Sequence, residues 1–204
     1  MKVRFVDLPR QIENLKPKLM DGIEATLARA DFIQGKAVKE FEKNFARFCG
    51  KEYCVGVNSG TDALEFALRA YDIKDGEVIT APNSYFSSAM VISKAGAKPV
   101  FVDADERSFN IDVNKIEEAI TKKTKAIMPV HLCGQPADLC PIYEIAEKYN
   151  LVVVEDACQA HSAEYKGKRV PVGEVGAFSF YPGKNLGCFG DGGALVTDNE
   201  EIAD

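Results

Sequence analysis

The chain has 204 residues, with 25 Lys and Arg against 31 Asp and Glu, which gives a formal net charge of −6. This acidic balance excludes the basic surface typical of proteins that bind nucleic acid or anionic membranes, and no run of about eighteen apolar residues could cross a bilayer. Since the N-terminus lacks the apolar stretch of a signal peptide and the six Cys include no CxxC pair, we expect a cytoplasmic protein with reduced thiols and no zinc site.

The first two predicted elements are helices. A helix over residues 9–29 lies in an N-terminal helical segment, residues 1–35, which could pack outside the core or against a partner. Apolar residues at helical spacing predict a second helix over 38–49. Its apolar face consists of Val38, Phe41, Phe45 and Phe48. This face could serve the core or a subunit interface, and we favour the core.

Seven apolar runs of strand length follow along the chain. They are residues 53–57, 78–80, 99–102, 126–130, 151–154, 176–180 and 194–197. Helical patterns separate most of these runs, and this alternation predicts a mostly parallel sheet with helices on both faces. The last two strands are joined by a Gly-rich segment instead of a helix, so we expect the sheet to be mixed.

No linker divides the chain after the N-terminal segment, so residues 36–204 are predicted to form one α/β domain. After the last predicted strand the chain starts a polar, helix-like stretch. We therefore expect the sequence to be part of a longer protein.

Candidate functional residues follow the predicted strands, because α/β sheets bind ligands beyond the carboxyl ends of their strands. The first strand is followed by small residues, Ser59, Gly60 and Thr61, and then by a helix. Free amides at a helix N-terminus can bind a phosphate or another anion. The same residues also fit a simple helix cap with a tight turn, which is the commoner role.

Three other strand ends allow alternative interpretations. Tyr85 and Phe86 could stack on a planar ligand, although such aromatics more often pack in a core. Asp103 and Asp105 suggest a metal site, but a solvated loop or a cap is the commoner role. His161 is more often a satisfied core or rim histidine than a catalyst.

Three charged residues are harder to explain as ordinary surface residues. Glu155 and Asp156 end a buried strand, where a carboxylate needs either a ligand cation or backbone N–H groups as partners. Lys184 lies between an apolar strand and a Gly-rich run, which is not the composition of a surface turn. The glycines near Lys184 match neither a P-loop nor a dinucleotide-binding fingerprint.

One ligand would account for these features together. Pyridoxal phosphate needs a Lys for its imine, an acid facing its pyridine nitrogen, a phosphate site and a ring-stacking group. The sequence offers these groups at Lys184, Asp156, Gly60 and Thr61 with Ser179, and Phe86 or Tyr85.

Six blocks of the sequence resemble the DegT/DnrJ/EryC1/StrS aminotransferases, which are sugar aminotransferases of pyridoxal-phosphate fold type I. The blocks are FEKNFARFCG, NSGTDALEFAL, AGAKPVFVDAD, TKAIMPVHLCGQPAD, VVEDACQAHSAEYKGK and FSFYPGKNLGCFGDGGALVTD. They run in family order across nearly the whole chain. The resemblance implies that residues 36–204 form the cofactor-binding large domain, without the family's smaller C-terminal domain.

The resemblance implies a role for each matching residue in the cofactor site. Lys184 would hold pyridoxal phosphate as a Schiff base, Asp156 would pair with its ring nitrogen, and Gln159 would lie near its 3-oxygen. The remaining contacts would come from the backbone of Gly60 and Thr61 and the Ser179 hydroxyl at the phosphate, and from Phe86 on the ring.

The implied activity is transfer of an amino group from an amino acid, L-glutamate, to a nucleotide-linked keto sugar by a homodimer in amino-sugar and polysaccharide biosynthesis. Lys184 argues against the family's dehydratase branch, which carries His at this position. An alternative is a catalytically incomplete domain that binds the cofactor or serves assembly but lacks the substrate half. An unrelated nucleotide-binding protein would have no use for Lys184.

Overall fold

The computed structural model describes residues 3–204, and within this range an α/β fold is built on one mixed sheet of seven strands and a small hairpin. The strands are β1 (Tyr53–Val57), β2 (Glu77–Thr80), β3 (Lys98–Phe101), β4 (Thr124–Ile127), β5 (Val152–Asp156), β6 (Glu164–Tyr165), β7 (Lys168–Arg169), β8 (Val175–Ser179) and β9 (Gly193–Thr197). The helices are α1 (Leu8–Arg29), α2 (Lys36–Cys49), α3 (Gly60–Ala70), α4 (Phe86–Lys94), α5 (Ile116–Ala119), α6 (Leu139–Tyr149) and α7 (Glu200–Ala203).

The main sheet has the strand order β1-β9-β8-β5-β4-β2-β3, and β6 pairs with β7 in the hairpin. In the main sheet β9 is antiparallel to both of its neighbours, and the remaining pairs are parallel. Parallel neighbours need crossover connections, which α4 supplies between β2 and β3 and α6 supplies between β4 and β5. Helix α3 connects β1 to β2, which are not neighbours in the sheet. The predicted mixed sheet is therefore confirmed.

All seven predicted strands are present, with small shifts at their ends. The largest shift is at β4, predicted over residues 126–130 and observed over Thr124–Ile127. Met128 still donates its backbone N–H to the Ile79 carbonyl at 2.8 Å. Pro129 has no N–H to donate, so the regular ladder ends at this point.

Helices cover both faces of the sheet, because successive strand residues point to opposite sides. Val154 of β5 packs in one buried cluster with Leu64 of α3 and Val91 of α4. Val153, its neighbour, packs in another cluster with Ile142 of α6. The continuous apolar run of β5 is thus buried on both faces, as its lack of alternation predicts.

The aromatic face of α2 packs on the α6 side of the sheet. The Phe45 ring lies edge-on to Phe178 and Phe180, with centroid distances of 5.0 and 5.2 Å. Phe41 stacks on Phe45 at 5.4 Å, whereas Phe48 is 37% exposed. The face therefore serves the core through Phe45, and Phe48 lies at its rim.

Helix α1 contributes no buried residue within the described range. Four of its larger apolar side chains, Leu15, Met20, Ile23 and Leu27, are exposed. This helix therefore lies outside the core, which is one of the two placements that the sequence allows. Among residues 3–204, no helix has both the length and the apolar character needed to cross a membrane.

The directions of β1, β5 and β8 define the edge at which ligands would bind. β9 is antiparallel to both β1 and β8, and β8 is parallel to β5, so all three strands run the same way. Their carboxyl ends therefore meet at one edge of the sheet. Gly60 follows β1, Asp156 ends β5 and Ser179 ends β8, so residues far apart in the sequence come together here.

Candidate active site

A cavity of about 410 Å³ opens at this carboxyl edge of the sheet. It is lined by Ser59, Gly60, Thr61, Leu64, Ser84, Tyr85, Ser87, Ser88, Asp156, Cys158, Gln159, Ser179, Tyr181, Lys184, Asp191 and Gly192. Six of the seven residues predicted to bind the cofactor are in this lining, namely Gly60, Thr61, Asp156, Gln159, Ser179 and Lys184. The cavity thus combines a lysine, a buried acid and a helix N-terminus.

The N-terminus of α3 forms one wall of the cavity. The Ser59 hydroxyl caps the helix by accepting the backbone N–H of Asp62 at 3.1 Å. The next two amides, at Gly60 and Thr61, have no acceptor within the helix and carry its positive dipole end. The segment is therefore a capped helix start that also presents free donors, so the two interpretations of its sequence are compatible.

Gly60 is required by the close packing of this wall. A Cβ atom at this position would lie 2.6 Å from Cys158 Sγ and 2.7 Å from Ser179 Cβ. Both distances are shorter than ordinary contacts between side-chain atoms. The absent side chain brings the backbone of α3 close to β8 and keeps the anion-binding end of the helix open.

Asp156 lies at the end of β5 and is 4% exposed. Its Oδ2 accepts a hydrogen bond from Ser88 Oγ at 2.9 Å, and its Oδ1 accepts the Cys158 N–H at 3.2 Å. Its backbone is fixed by an N–H donated to Pro129 O and a carbonyl that accepts the His131 N–H. The carboxylate is therefore held in place by two hydrogen-bond donors from the protein. A ligand in the cavity could supply a third donor.

The sequence pattern does not predict the contacts of Asp156 with α4. Ser88 is 3% exposed, and its hydroxyl is 2.9 Å from that of Ser84. Both serines lie in the segment that starts α4, where serine ordinarily indicates a cap. Their position just after β2, another strand that ends at the same edge, is the signal that could have indicated them.

Lys184 lies in the loop between β8 and β9, in a turn closed by its N–H, which donates to Tyr181 O at 2.8 Å. Its side chain is half-buried in the cavity wall. Cys158, in the same wall, has a thiol pKa raised well above its usual value by burial and by the neighbouring Asp156. Cys158 therefore stays protonated and packs in the wall.

Gln159 follows Cys158 in the cavity wall. Its side-chain Oε1 accepts the backbone N–H of Cys133 at 2.9 Å. This contact assigns the oxygen of the amide, so the two donors of its NH₂ group are on the other side of the side chain. Gln159 can therefore donate a hydrogen bond to a ligand oxygen in the cavity.

The two aromatic candidates are separated by the fold. Tyr85 lines the cavity, whereas Phe86 does not, although both side chains are exposed, at 75% and 72%. Phe86 is the first residue of α4, and consecutive residues of a helix point in different directions. The geometry therefore favours Tyr85 over Phe86 as an aromatic that could cover a ligand ring.

The acidic pair after β3 stabilises a loop. Asp105 Oδ1 accepts the N–H groups of Arg107 and Ser108 at 3.1 and 2.8 Å, and Asp103 Oδ1 accepts the N–H of Ala104. Backbone and side-chain hydrogen bonds from Ser108 lower the pKa of Asp105. These two carboxylates therefore cap local backbone groups, which is the commoner of the two roles considered for them.

Glu155 precedes Asp156 but lies on the opposite face of the sheet. Its Oε2 is 2.9 Å from His131 Nε2, and its Oε1 accepts the Tyr143 hydroxyl at 2.6 Å and the Gly173 N–H at 2.7 Å. His131 Nδ1 accepts the Ala137 N–H, so Nε2 carries the proton and donates it. All the partners of Glu155 thus come from the protein itself.

His161 is buried near the cavity without a strong partner. Its ring packs against Phe178 and Phe180, with centroid distances of 5.3 and 5.7 Å. Within residues 3–204 neither ring nitrogen makes a hydrogen bond of normal geometry. Burial lowers the pKa of His161, the backbone of Ser179 opposes this effect, and the charge of Lys184 adds to it. The imidazole is therefore neutral near pH 7.

Comparisons with known proteins give a consistent result. The model of the DegT/DnrJ/EryC1/StrS aminotransferase family matches residues 13–204. A dTDP-3-amino-3,4,6-trideoxy-alpha-D-glucose transaminase from Streptomyces venezuelae is 45% identical over 100% of this chain and 54% of its own length. A dTDP-3-amino-3,6-dideoxy-alpha-D-galactopyranose transaminase from Aneurinibacillus thermoaerophilus is 48% identical over 99% of this chain and 56% of its own length.

Solved structures show the same fold. DesV from S. venezuelae, in complex with a ketimine intermediate, superimposes with a TM-score of 0.97 at 45% identity, over 99% of this chain and 55% of DesV. NtdA from Bacillus subtilis, with bound cofactor PMP, gives a TM-score of 0.91 at 36% identity, over 99% of this chain and 46% of NtdA. The chain thus spans about half the length of the relatives that it matches.

Proposed function

Because the chain belongs to the DegT/DnrJ/EryC1/StrS aminotransferase family, we propose that its cavity binds pyridoxal phosphate and that the protein transfers an amino group from an amino acid to a nucleotide-linked keto sugar. The observation that carries this proposal is the meeting of Lys184 and Asp156 in one cavity, beside the open N-terminus of α3. The sugar acceptor is supported by the two dTDP-amino-sugar transaminases, and the donor is proposed to be L-glutamate.

The residues present fit this cofactor. The wall without a side chain at Gly60, where a Cβ would meet Cys158 and Ser179, leaves room for a phosphate at the first amides of α3. Ser179 adds a hydroxyl, and Gln159 has free donors for the ring's 3-oxygen. Tyr85, at the mouth of the cavity, is the aromatic that would cover the ring.

Lys184 is proposed to bind and to move a proton. Its Nζ would hold the cofactor through the aldehyde carbon. When it is not holding the cofactor, the Lys184 amine would take the proton from Cα of the amino acid and deliver it to the C4′ carbon.

Asp156 is proposed to keep a proton on the ring nitrogen. The bound cofactor supplies an electron sink for the carbanion formed when Cα loses its proton, and that sink depends on a protonated ring. A buried carboxylate held by Ser88 and by the Cys158 N–H would accept the ring N–H and stabilise its positive charge. Asp156 would thus act on charge that develops during the reaction.

We further propose a homodimer in the cytoplasm. The apolar side chains exposed along α1 are a surface that a second copy of the chain could cover, and twofold dimers are the commonest symmetric assembly. The six Cys without a pairing pattern favour a reducing compartment.

Half-reactions with the full chain test the proposed activity. Glutamate should convert the absorbance of the bound aldehyde form to that of the amine form, and a nucleotide-linked keto sugar should restore it. The Lys184→Ala variant is the control and should do neither. If only simple 2-oxo acids restore the aldehyde form, the sugar acceptor is wrong. If the cofactor binds but glutamate changes nothing, the alternative of a catalytically incomplete domain gains support.

A further inference from the structure

We propose that Ser84 and Ser88 form a hydroxyl relay that orients the Asp156 carboxylate toward the cavity. The relay is the chain of hydrogen bonds from Ser84 Oγ to Ser88 Oγ and on to Asp156 Oδ2, each of 2.9 Å. The two serines are positioning residues, because they act through Asp156. This inference rests on the proposed function, since it concerns the acid that would face the cofactor ring.

The chemistry of the groups fixes the direction of the relay. A serine hydroxyl has one proton to donate, and an ionised carboxylate can only accept. Ser88 therefore gives its proton to Asp156, so its oxygen must accept the proton of Ser84. Hydrogen bonds that point the same way along a chain polarise and strengthen one another, above all where water is excluded.

Burial gives this contact a larger effect than an exposed serine would have. Ser88 is 3% exposed and Asp156 is 4% exposed, so little of either residue is in contact with bulk solvent. The other donor to the carboxylate is the Cys158 N–H, at the longer distance of 3.2 Å. Ser88 therefore makes the shorter of the two hydrogen bonds to the carboxylate, and it makes this bond to Oδ2.

The position of the relay connects two walls of the cavity. Ser84 and Ser88 come from the start of α4, after β2, whereas Asp156 ends β5. All three residues line the cavity. The relay thus fixes the rotation of the carboxylate about its side chain and leaves its remaining acceptor directions for a ligand N–H.

The first experiment titrates pyridoxal phosphate into the cofactor-free full chain and follows the absorbance of the bound cofactor against pH. Ser88→Ala should weaken binding by about tenfold, the effect of losing one hydrogen bond to a charged group, and should move the pH midpoint of the absorbance change. Ser84→Ala should act in the same direction by a smaller factor. Ser93→Ala, at an exposed position of the same helix, is the control and should leave both quantities unchanged.

The relay makes a specific prediction for the double variant. If Ser84 acts through Ser88, adding Ser84→Ala to Ser88→Ala should cause no further change in affinity or in the pH midpoint. If the two serines act independently, their effects on affinity should multiply. Multiplying effects, or wild-type affinity and pH midpoint in Ser88→Ala, would overturn the proposal.

A second experiment needs no cofactor and therefore separates this inference from the proposed function. Urea unfolding of the cofactor-free chain should show that Ser88→Ala lowers the midpoint in the presence of Asp156 but hardly changes it in an Asp156→Ala background. Equal shifts in the two backgrounds would contradict the Ser88–Asp156 contact. If the unaltered chain takes up no pyridoxal phosphate, the proposed function fails, and this cycle still tests the contact.

Discussion

Two adjacent carboxylates at the end of β5 have opposite environments. Glu155 is fully buried on the α6 side of the sheet and receives donors from His131, Tyr143 and Gly173. Asp156 lies on the other side, receives donors from Ser88 and the Cys158 N–H, and lines the cavity. One acid is closed off by the protein, and the other is open to a ligand.

The difference in donors explains the difference in role. Burial alone would raise the pKa of Glu155, but the hydrogen bonds from His131, Tyr143 and Gly173 outweigh it, and the pKa is lowered. Such a satisfied network fixes the fold and has no capacity for a ligand. Asp156 keeps free acceptor capacity in the cavity that Lys184 also lines, as the proposed function requires.

Replacing Glu155 should have the largest effect on stability. Glu155→Leu leaves the buried His131 and the half-buried Tyr143 and Gly173 without an acceptor, so we expect a loss of about 3–5 kcal/mol in the free energy of unfolding. Chemical denaturation measures this loss, and Glu155→Gln, which keeps one acceptor oxygen, should lose less. A Glu155→Leu variant as stable as the unaltered chain would show that the network does not hold the fold.

Replacing Asp156 should instead affect catalysis. Asp156→Asn keeps the size of the side chain but loses the charge, so we expect some cofactor binding and a rise of roughly 2.7–4 kcal/mol in the activation free energy. The rate of the glutamate half-reaction measures this effect, and denaturation should show only a small change. Near wild-type rates would contradict the catalytic role that distinguishes Asp156 from Glu155.

A substitution at Gly60 tests the wall of the cavity that Asp156 also lines. Gly60→Ala places a methyl group 2.6 Å from Cys158 Sγ, and we expect overpacking to cost about 1–3 kcal/mol and to weaken cofactor binding. Gly22→Ala in α1 is the matched control, because nothing lies within 4 Å of its Cβ. If both variants bind pyridoxal phosphate equally well, the α3 wall is not the phosphate site.

The two buried histidines extend the comparison to pH. His131 has partners at both nitrogens, whereas burial and the charge of Lys184 lower the pKa of His161 below its usual value of 6.5. In the unfolded chain His161 takes up a proton near pH 6.5, and in the folded chain only at lower pH. The unfolded state therefore binds more protons, and the free energy of unfolding should fall as the pH drops below 6.5.

His161→Phe should remove this part of the pH dependence, since a phenyl ring suits the neighbouring Phe178 and Phe180 and does not titrate. Urea unfolding at a series of pH values from neutral to mildly acidic measures the slope. An identical slope in the variant and the unaltered chain would show that His161 is not the titrating group. This is the smallest of the expected effects.

The sequence predicts the sheet better than the site. Continuous apolar runs separated by helical patterns are local signals, so β5 and its burial on both faces could be predicted. The choice of Asp156 over Glu155 could not be derived from burial, because both acids follow the same run. Asp156 was selected by the need of pyridoxal phosphate for an acid at its ring nitrogen and by the family resemblance.

The contacts around Asp156 depend on the fold. Ser88 is 68 positions away from Asp156 in the sequence, and only the parallel order of β2, β4 and β5 brings them together. The direction of Tyr85 relative to Phe86 depends on where α4 begins, and helix ends are the least defined feature of a sequence pattern. The predicted role of Phe86 therefore stays a prediction, and the geometry offers Tyr85 instead.

The most direct test of the central claim is to identify the residue that holds the cofactor. Borohydride reduction of the protein after incubation with pyridoxal phosphate, followed by peptide mass mapping, should find a single phosphopyridoxyl adduct on Lys184. Asp156→Asn should give the same adduct, since its expected defect is in turnover. An adduct on another lysine, or no adduct on the unaltered chain, would contradict the assignment of this cavity as the active site.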